Sequence, residues 1–273
     1  MDAGTSLNSR LANWSLWLTR RGGDLVLELI VPIVLVTAWW IATAQSTSIY
    51  FPSLAKILDR FQQTWLFRDF ASDAVPTLVS LGSGFLIGVV VAIILGTLIG
   101  SIPLLAEAVA PVVELMRAVP VVALLPVGLL VFGIGPAFQI ATVAFGAVWP
   151  VLLNTIDGVR AVDPTVRDVM RSYHVTWGLR LTRVILPSAS PNIIAGMRVA
   201  ISLSVTVVIL SELVGSTHGI GFIIRQAQDQ FAIADVWAGM ILLGIVGYLI
   251  NLLFRGFEYL VLRLVKPGSR ATT

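Results

Sequence analysis

Long uncharged stretches alternate along this chain with short segments that gather nearly all of its charge. Apolar runs cover residues 29–44, 74–106, 118–156, 193–211 and 236–254, the first preceded closely by the mixed segment 24–28. A helix needs roughly 20 such residues to cross the hydrocarbon of a bilayer. The third run is long enough for two crossings and contains Phe132-Gly133-Ile134-Gly135-Pro136, a turn sequence that divides it into two spans joined by a tight hairpin. The pattern therefore predicts an all-α polytopic membrane protein with six transmembrane helices.

Composition sharpens that expectation. The chain is 57% hydrophobic and 12% charged, with a mean hydropathy of +0.92, whereas a soluble domain carries about 25% charged residues. Such a chain cannot cover its apolar surface with polar side chains. With the N terminus placed inside, the inner segments hold Arg10, Arg20, Arg21, Arg117, Arg160, Arg167, Arg171, Arg180, Arg183, Arg198, Arg255, Arg263, Lys266 and Arg270. Of the 18 basic residues, only Lys56, Arg60, Arg68 and Arg225 are left outside. This positive-inside bias assigns both termini and segment 157–191 to the cytoplasm of a plasma-membrane protein.

The net charge of +3 reflects that topology, and no basic and aromatic surface motif points to nucleic acid. The first run has no small-residue cleavage site close behind it and reads as a retained span, not a signal peptide. Cysteine is absent, which excludes disulfides and decides nothing about compartment.

The domain reading is a cytoplasmic tail over 1–23, a transmembrane domain over 24–255 and a second cytoplasmic tail over 256–273. Trp14, Trp17, Arg20 and Arg21 suit the first tail to the headgroup interface, or to a disordered tail. In the outer segment 45–73, Leu54, Ile57, Leu58 and Phe61 repeat at helical spacing and predict a surface helix. Gly84, Gly88, Gly96 and Gly100 form small-xxx-small pairs that let span backbones approach closely. Residues 103–117 read as a short inner connection.

Segment 157–191 is the long basic interruption. Asp163 followed by Pro164 starts a helix, because the Asp side chain can cap free amides and proline suits the first helical position. Val166, Val169, Met170 and Tyr173 then fall on one face and leave Arg160, Arg167 and Arg171 to solvent or acidic partners. After His174 and Val175, Thr176 is placed to cap a second helix that runs from Trp177 to Leu186 and stops at Pro187. Such a hairpin suits either docking into a groove of another protein or resting on anionic lipid.

Asp168-Val169-Met170, three residues, His174, nine residues and Val184-Ile185-Leu186-Pro187 make this segment similar to the EAA loop of ABC importer membrane subunits. That family's pattern is Glu-Ala-Ala, three residues, Gly, nine residues and Ile-x-Leu-Pro. Asp, Met and His depart from it at three positions, and a turn of positive φ costs more at His174 than at glycine. The resemblance extends to Met116-Arg117-Ala118-Val119-Pro120 through Pro126, to Phe132-Gly133-Ile134-Gly135, and to Ser211-Glu212-Leu213-Val214-Gly215 through Gly219-Ile220-Gly221. It covers roughly residues 75–255 and looks like the permeases that import sulfonates, taurine, nitrate and aromatic acids.

What the resemblance implies is a MetI-like type I ABC importer permease fold, forming the path for a small anionic solute delivered by an external solute-binding protein. It implies a second permease copy, as a homodimer, and a cytoplasmic ABC ATPase dimer. Coupling to that ATPase would fall to Val166, Arg167, Asp168, Val169, Met170, Arg171, Tyr173, His174, Val175, Thr176, Trp177, Leu186 and Pro187. Glu212, Gly215, Gly219 and Gly221 would form an outer gate or docking surface; the plainer reading is an ordinary loop beside a helix-terminal carboxylate.

Catalysis and cofactor binding by the chain itself find no support. A phosphate-binding loop ends in Gly-Lys followed by Ser or Thr, whereas Lys56 follows Ala55 and Lys266 follows Val265. ATP and Mg would belong to the partner. His174 and His218 fall on opposite sides of the membrane, which disfavours a metal site. The alternative class is an ion-coupled secondary transporter or channel, whose spans carry ionisable residues at depth. Here Glu28, Arg198 and Glu212 read as lying near span ends. Thr97, Ser101, Gln139, Thr142, Asn154, Ser202, Ser204 and Thr206 are polar candidates along a path, too generic to name a solute.

Overall fold

The computed structural model of the chain describes residues 30–68 and 70–265. The expected tail 1–23, Glu28 and the residues beyond 265 lie outside them. The chain divides into two compact units at Arg60 and Phe61.

In the first unit, the apolar helix α1 (Ile30–Thr43) ends on Thr43, whose hydroxyl donates to the Trp39 carbonyl at 2.8 Å and accepts the Leu54 amide at 3.2 Å. That second bond fixes the start of α2 (Leu54–Phe61), the predicted amphipathic helix, which buries Leu54 and Ile57.

In the second unit, π-helical turns over Gln62–Arg68 and Phe70–Ala74 lead into α3 (Val75–Ser101). Then follow α4 (Pro103–Ala118), a 3₁₀ turn (Val121–Leu124), α5 (Leu125–Phe132), α6 (Pro136–Arg160), α7 (Pro164–Ser172), α8 (Trp177–Arg180), α9 (Leu186–Gly215), α10 (Ile220–Asp229) and α11 (Ile233–Val265). No strand occurs among the described residues. The core is α6, held between α3 and α9.

Glycine makes that core possible. A Cβ on Gly84 would stand 2.7 Å from the Ile140 carbonyl, and one on Gly96 would stand 2.7 Å from Thr155 Cβ. On the other side of α6, a Cβ on Gly196 would stand 2.8 Å from the Pro150 carbonyl, and one on Gly158 would stand 2.9 Å from Asn192 Cβ. The predicted small-residue stripe is thus the packing face of α3, and α6 and α9 share a second one. The pairing order makes α3 and α6 parallel and α9 antiparallel to both.

Four helices are long and apolar enough to cross a membrane: Phe70–Ser101, Pro136–Arg160, Trp177–Gly215 and Ile233–Arg263. Pro103–Ala118 with Val121–Phe132 makes a fifth if this pair, bent by 83°, is one broken span. Six spans were expected; four or five helices among the described residues are long enough to cross, and α1 falls short of that length. Gly133 (φ 73°) and Gly135 (φ 127°) supply the positive φ of the expected turn, and Pro136 opens α6.

Three boundaries differ from expectation. The second span ends at Ser101, because Ile102 is extended and Pro103 starts a new helix. Residues 103–117 are consequently not a short connection but α4, and the third span is broken at Val119 and Pro120, both extended, as the residue before a proline prefers. Helix α11 continues past the expected boundary at 256, to Val265.

Candidate functional site

The bundle has two elaborated ends. One is the elbow α7–α8, beside the last turns of α3 and α6; the other is the start of α10, beside the first turns of those helices.

At the elbow, Asp163 caps α7 as expected, its carboxylate accepting the Thr165 amide at 2.7 Å with Pro164 in the first turn. Helix α7 ends in a left-handed residue, His174 at φ 48°. The Val175 amide reaches back to the Met170 carbonyl at 3.1 Å and the His174 amide to Arg171 at 3.0 Å, the paired closure of a Schellman turn. A histidine thus holds the left-handed position of this turn, where the EAA pattern has glycine. Arg180 Nε donates to the Val175 carbonyl at 2.6 Å and folds α8 back against this turn.

The predicted docking face splits in two. Met170 is 7% exposed and turned inward, whereas Tyr173 is 80% exposed, with Val166, Val169 and Trp177 also open. Arg167 does not remain in solvent either, since its guanidinium donates to the Val159 carbonyl at the end of α6. A cleft of about 200 Å³ opens behind the elbow, lined by Ser101, Val159, Arg167, Met170, Arg171, Trp177, Arg180 and Ile185. The inward side thus fastens the elbow to the bundle, and the outward side carries apolar groups that stand exposed among the described residues. Asp168 and Arg171 form only an exposed pair at 3.7 Å.

Two expectations at the second short helix fail. Thr176 is extended at the cap position but makes no side-chain cap bond. The helix does not stop at Pro187 but passes through a π turn at Leu181–Ile185 into α9. There the Leu186 amide bonds to the Leu181 carbonyl, and the wider turn absorbs the missing proline donor. Leu186 packs beside the buried Val159, Ala189 and Ile193.

At the opposite end, Glu212 is 1% exposed. It accepts the Thr77 hydroxyl at 2.7 Å on Oε1 and the Gly221 amide at 2.8 Å on Oε2. The Gly219 amide reaches Asp73 Oδ1 at 2.8 Å, and the Ile220 amide reaches Thr77 Oγ1 at 3.0 Å. Three free amides at the start of α10 thus meet three acceptors, from α9, from α3 and from the turn before α3, as a helix N terminus requires. Gly219 has φ 116°, and a Cβ there would stand 2.5 Å from the Glu212 carboxyl carbon; glycine is required for both reasons. Gly221 admits the Glu212 side chain, and Gly215 lies close against Leu129 and Phe138. Beside this cradle, Ser80 donates to Gln139 Oε1 and Gln139 Nε2 donates to Ser216, each at 2.7 Å. The loop is thus an inter-helix tie, not an ordinary connection.

Sequence reasoning missed Asp73, Thr77, Ser80 and Ser216 as partners. Their only advance signal was the helix start at Gly219, which had to find acceptors somewhere. It also misplaced Arg198, which lies well inside α9, where its neighbour Gly196 meets the middle of α6. Arg198 pairs with Glu258 of α11, and one turn on Ser202 donates to Asn251 Oδ1 at 3.1 Å. Of the other polar candidates, Thr142, Asn154 and Ser204 return hydrogen bonds to their own helices.

Residues 84–267 match the family described as the binding-protein-dependent transport system inner membrane component. The taurine transport system permease protein TauC of Escherichia coli (strain K12) is 28% identical over 263 residues, covering 92% of this chain and 93% of that one. The bicarbonate transport system permease protein CmpB of Synechocystis sp. (strain ATCC 27184 / PCC 6803 / Kazusa) is 33% identical over 197 residues, 71% of this chain and 69% of that one. Among solved structures, a chain of the inward-facing MetNI methionine ABC transporter matches with a TM-score of 0.58 at 22% identity, over 73% of this chain and 97% of that chain. The chain belongs to this family of inner-membrane transport components and has the fold of an ABC importer permease.

Proposed function

We propose that this permease forms, with a second identical copy, the membrane path of an ATP-driven importer for a small anionic solute. A separate cytoplasmic ATPase dimer docks at the α7–α8 elbow, and an external solute-binding protein delivers the solute on the α10 side. Both termini share the elbow's side. The chain hydrolyses nothing itself; ATP and Mg stay on the partner. Relatives named for taurine and bicarbonate support a solute with a compact oxyanion group.

The observation that carries the coupling reading is the divided elbow. Arg167 and Met170 bind it inward while Val166, Val169, Tyr173 and Trp177 stay open, as expected of a surface whose partner lies outside the chain. Closure of the ATPase would move the elbow and, through α9, the spans. Glu212, Gly215, Gly219 and Gly221 would then serve as the outer gate by holding or releasing α10.

The test uses Val169→Asp, which leaves Met170 and Arg167 in place. The variant is expected to fold and insert normally while losing ATPase co-purification and solute-stimulated hydrolysis. Intact coupling would make the elbow a lipid-resting element. Because the chain has no cysteine, Ser172→Cys and Thr217→Cys report sidedness alone. They should label from opposite faces of intact cells, and labelling of both from outside would overturn the orientation.

A further inference from the structure

The exposed face of α9 is unlike the other membrane-facing surfaces. On α3 the exposed residues include Leu86, Ile87, Val90, Ile94 and Leu98, as lipid demands. On α9 the stripe interleaves Arg198, Ser202 and Thr206 with apolar residues, all exposed. Across the seam, α11 answers with Glu258 and Asn251, so that two polar rungs, Arg198 to Glu258 and Ser202 to Asn251, climb between the helices.

The charged rung lies within the length of the spans, away from both ends of α6. Gly196 touches α6 at Pro150 and Asn154, which at 1.5 Å per residue places it about 21–27 Å from the Pro136 end and about 9–15 Å from the Arg160 end. An arginine at that level of a core roughly 30 Å thick faces protein or water. Yet the Arg198 side chain is 57% accessible and Glu258 only 17%, so the open side belongs to the guanidinium.

We propose that this ladder faces an aqueous path and that Arg198 transiently holds the oxyanion group of the solute, in exchange with Glu258. The inference rests on the importer reading above. A guanidinium fork accepts the paired oxygens of a sulfonate, a carboxylate or bicarbonate alike. Glu258 holds the guanidinium through Nη2, on both of its carboxylate oxygens, when no solute is present, so the cation is never left unpaired and the solute is not held too tightly to leave. Ser202 and Asn251 add a neutral polar rung one turn further along. The step is a ligand exchange, and no bond is made or broken.

The chain's lack of cysteine makes the test direct. Ser202→Cys and Thr206→Cys, each in the complex with the ATPase and in membranes of both orientations, are treated with two thiosulfonates that differ only in carrying a sulfonate or a trimethylammonium group. Both positions should react, because the thiolate forms only in water, while Leu86→Cys and Ile94→Cys should not. At position 202 the sulfonate-to-ammonium rate ratio should rise several-fold with Glu258→Gln and fall several-fold with Arg198→Gln. Silence at 202 and 206 with Thr217→Cys reactive, or a ratio that neither charge variant moves, overturns the proposal. Thr206→Cys leaves the ion pair untouched and so separates water access from any folding defect. Transport that proceeds without the ATPase would instead overturn the importer reading while leaving this labelling pattern intact.

Discussion

The two elaborated ends of this bundle solve opposite problems. At the α10 end, Asp73, Thr77 and Glu212 satisfy the free amides of a helix start, and Glu212 is buried to 1% exposure. At the elbow, Tyr173 stands 80% exposed with valines and a tryptophan around it. One end has found its partners inside the chain; the other presents apolar groups that stand exposed among the described residues. The contrast separates residues whose loss should unfold the protein from residues whose loss should disconnect it.

The sharpest way to break the comparison is Glu212→Ala. It orphans the buried Gly221 amide and leaves the Thr77 hydroxyl only the Asp73 carbonyl at 3.1 Å, and a buried orphan costs about 1–3 kcal/mol. The melting temperature of the purified protein should fall strongly. A variant as stable as the parent would mean that the cradle is not the tie described. Tyr173→Ala comes next and should act in the other currency. Removing an exposed aromatic anchor should leave the melting temperature in place and cost about 2 kcal/mol in association with the ATPase, roughly thirtyfold in affinity. Loss of stability with affinity unchanged would reverse the roles of the two ends.

Smaller effects sharpen it. Asp163→Ala removes the cap of α7 and should cost about 1 kcal/mol, read as faster amide exchange in that helix with the bundle unaffected. His174→Gly should go the opposite way. The left-handed φ of 48° suits glycine, though glycine's unfolded-state entropy offsets part of the gain, leaving about 0.5 kcal/mol or less. A clear destabilisation would show that the imidazole contributes more than the backbone geometry does.

What could be read in advance follows the range of the interaction. The Asp163-Pro164 cap, the turn at 132–136, the surface helix at Leu54 and the glycine stripe of α3 are local signals, and the structure has each of them. Spans were legible as apolar runs, but the 83° break at Val119-Pro120 was not, because a proline can as easily open a helix, as Pro103 does, or sit inside one, as Pro111 does. Pro187 misled for the same reason, since a π turn before it accommodates the missing donor. The cradle could not be read at all. Thr77 and Glu212 are brought together by the stacking of α3 and α9, and nothing near either residue in the chain announces the other. The helical pattern put Met170 and Tyr173 on one face, yet α7 lies obliquely enough for Arg167 and Met170 to be its inner edge.

The passage of the helix through Pro187 has a mechanical consequence. From Trp177 to Gly215 the chain is one helix of 39 residues, about 58 Å long at the usual rise. Gly196, whose Cβ would stand 2.8 Å from the Pro150 carbonyl, is its middle residue. There the two backbones are pressed together with no side chain to cushion them, so the rod has a fulcrum with arms of equal length. Tilting it by about 5° would sweep each tip about 2.5 Å, in opposite senses. A push on the elbow and a loosening around Glu212 would then be the two ends of a single seesaw.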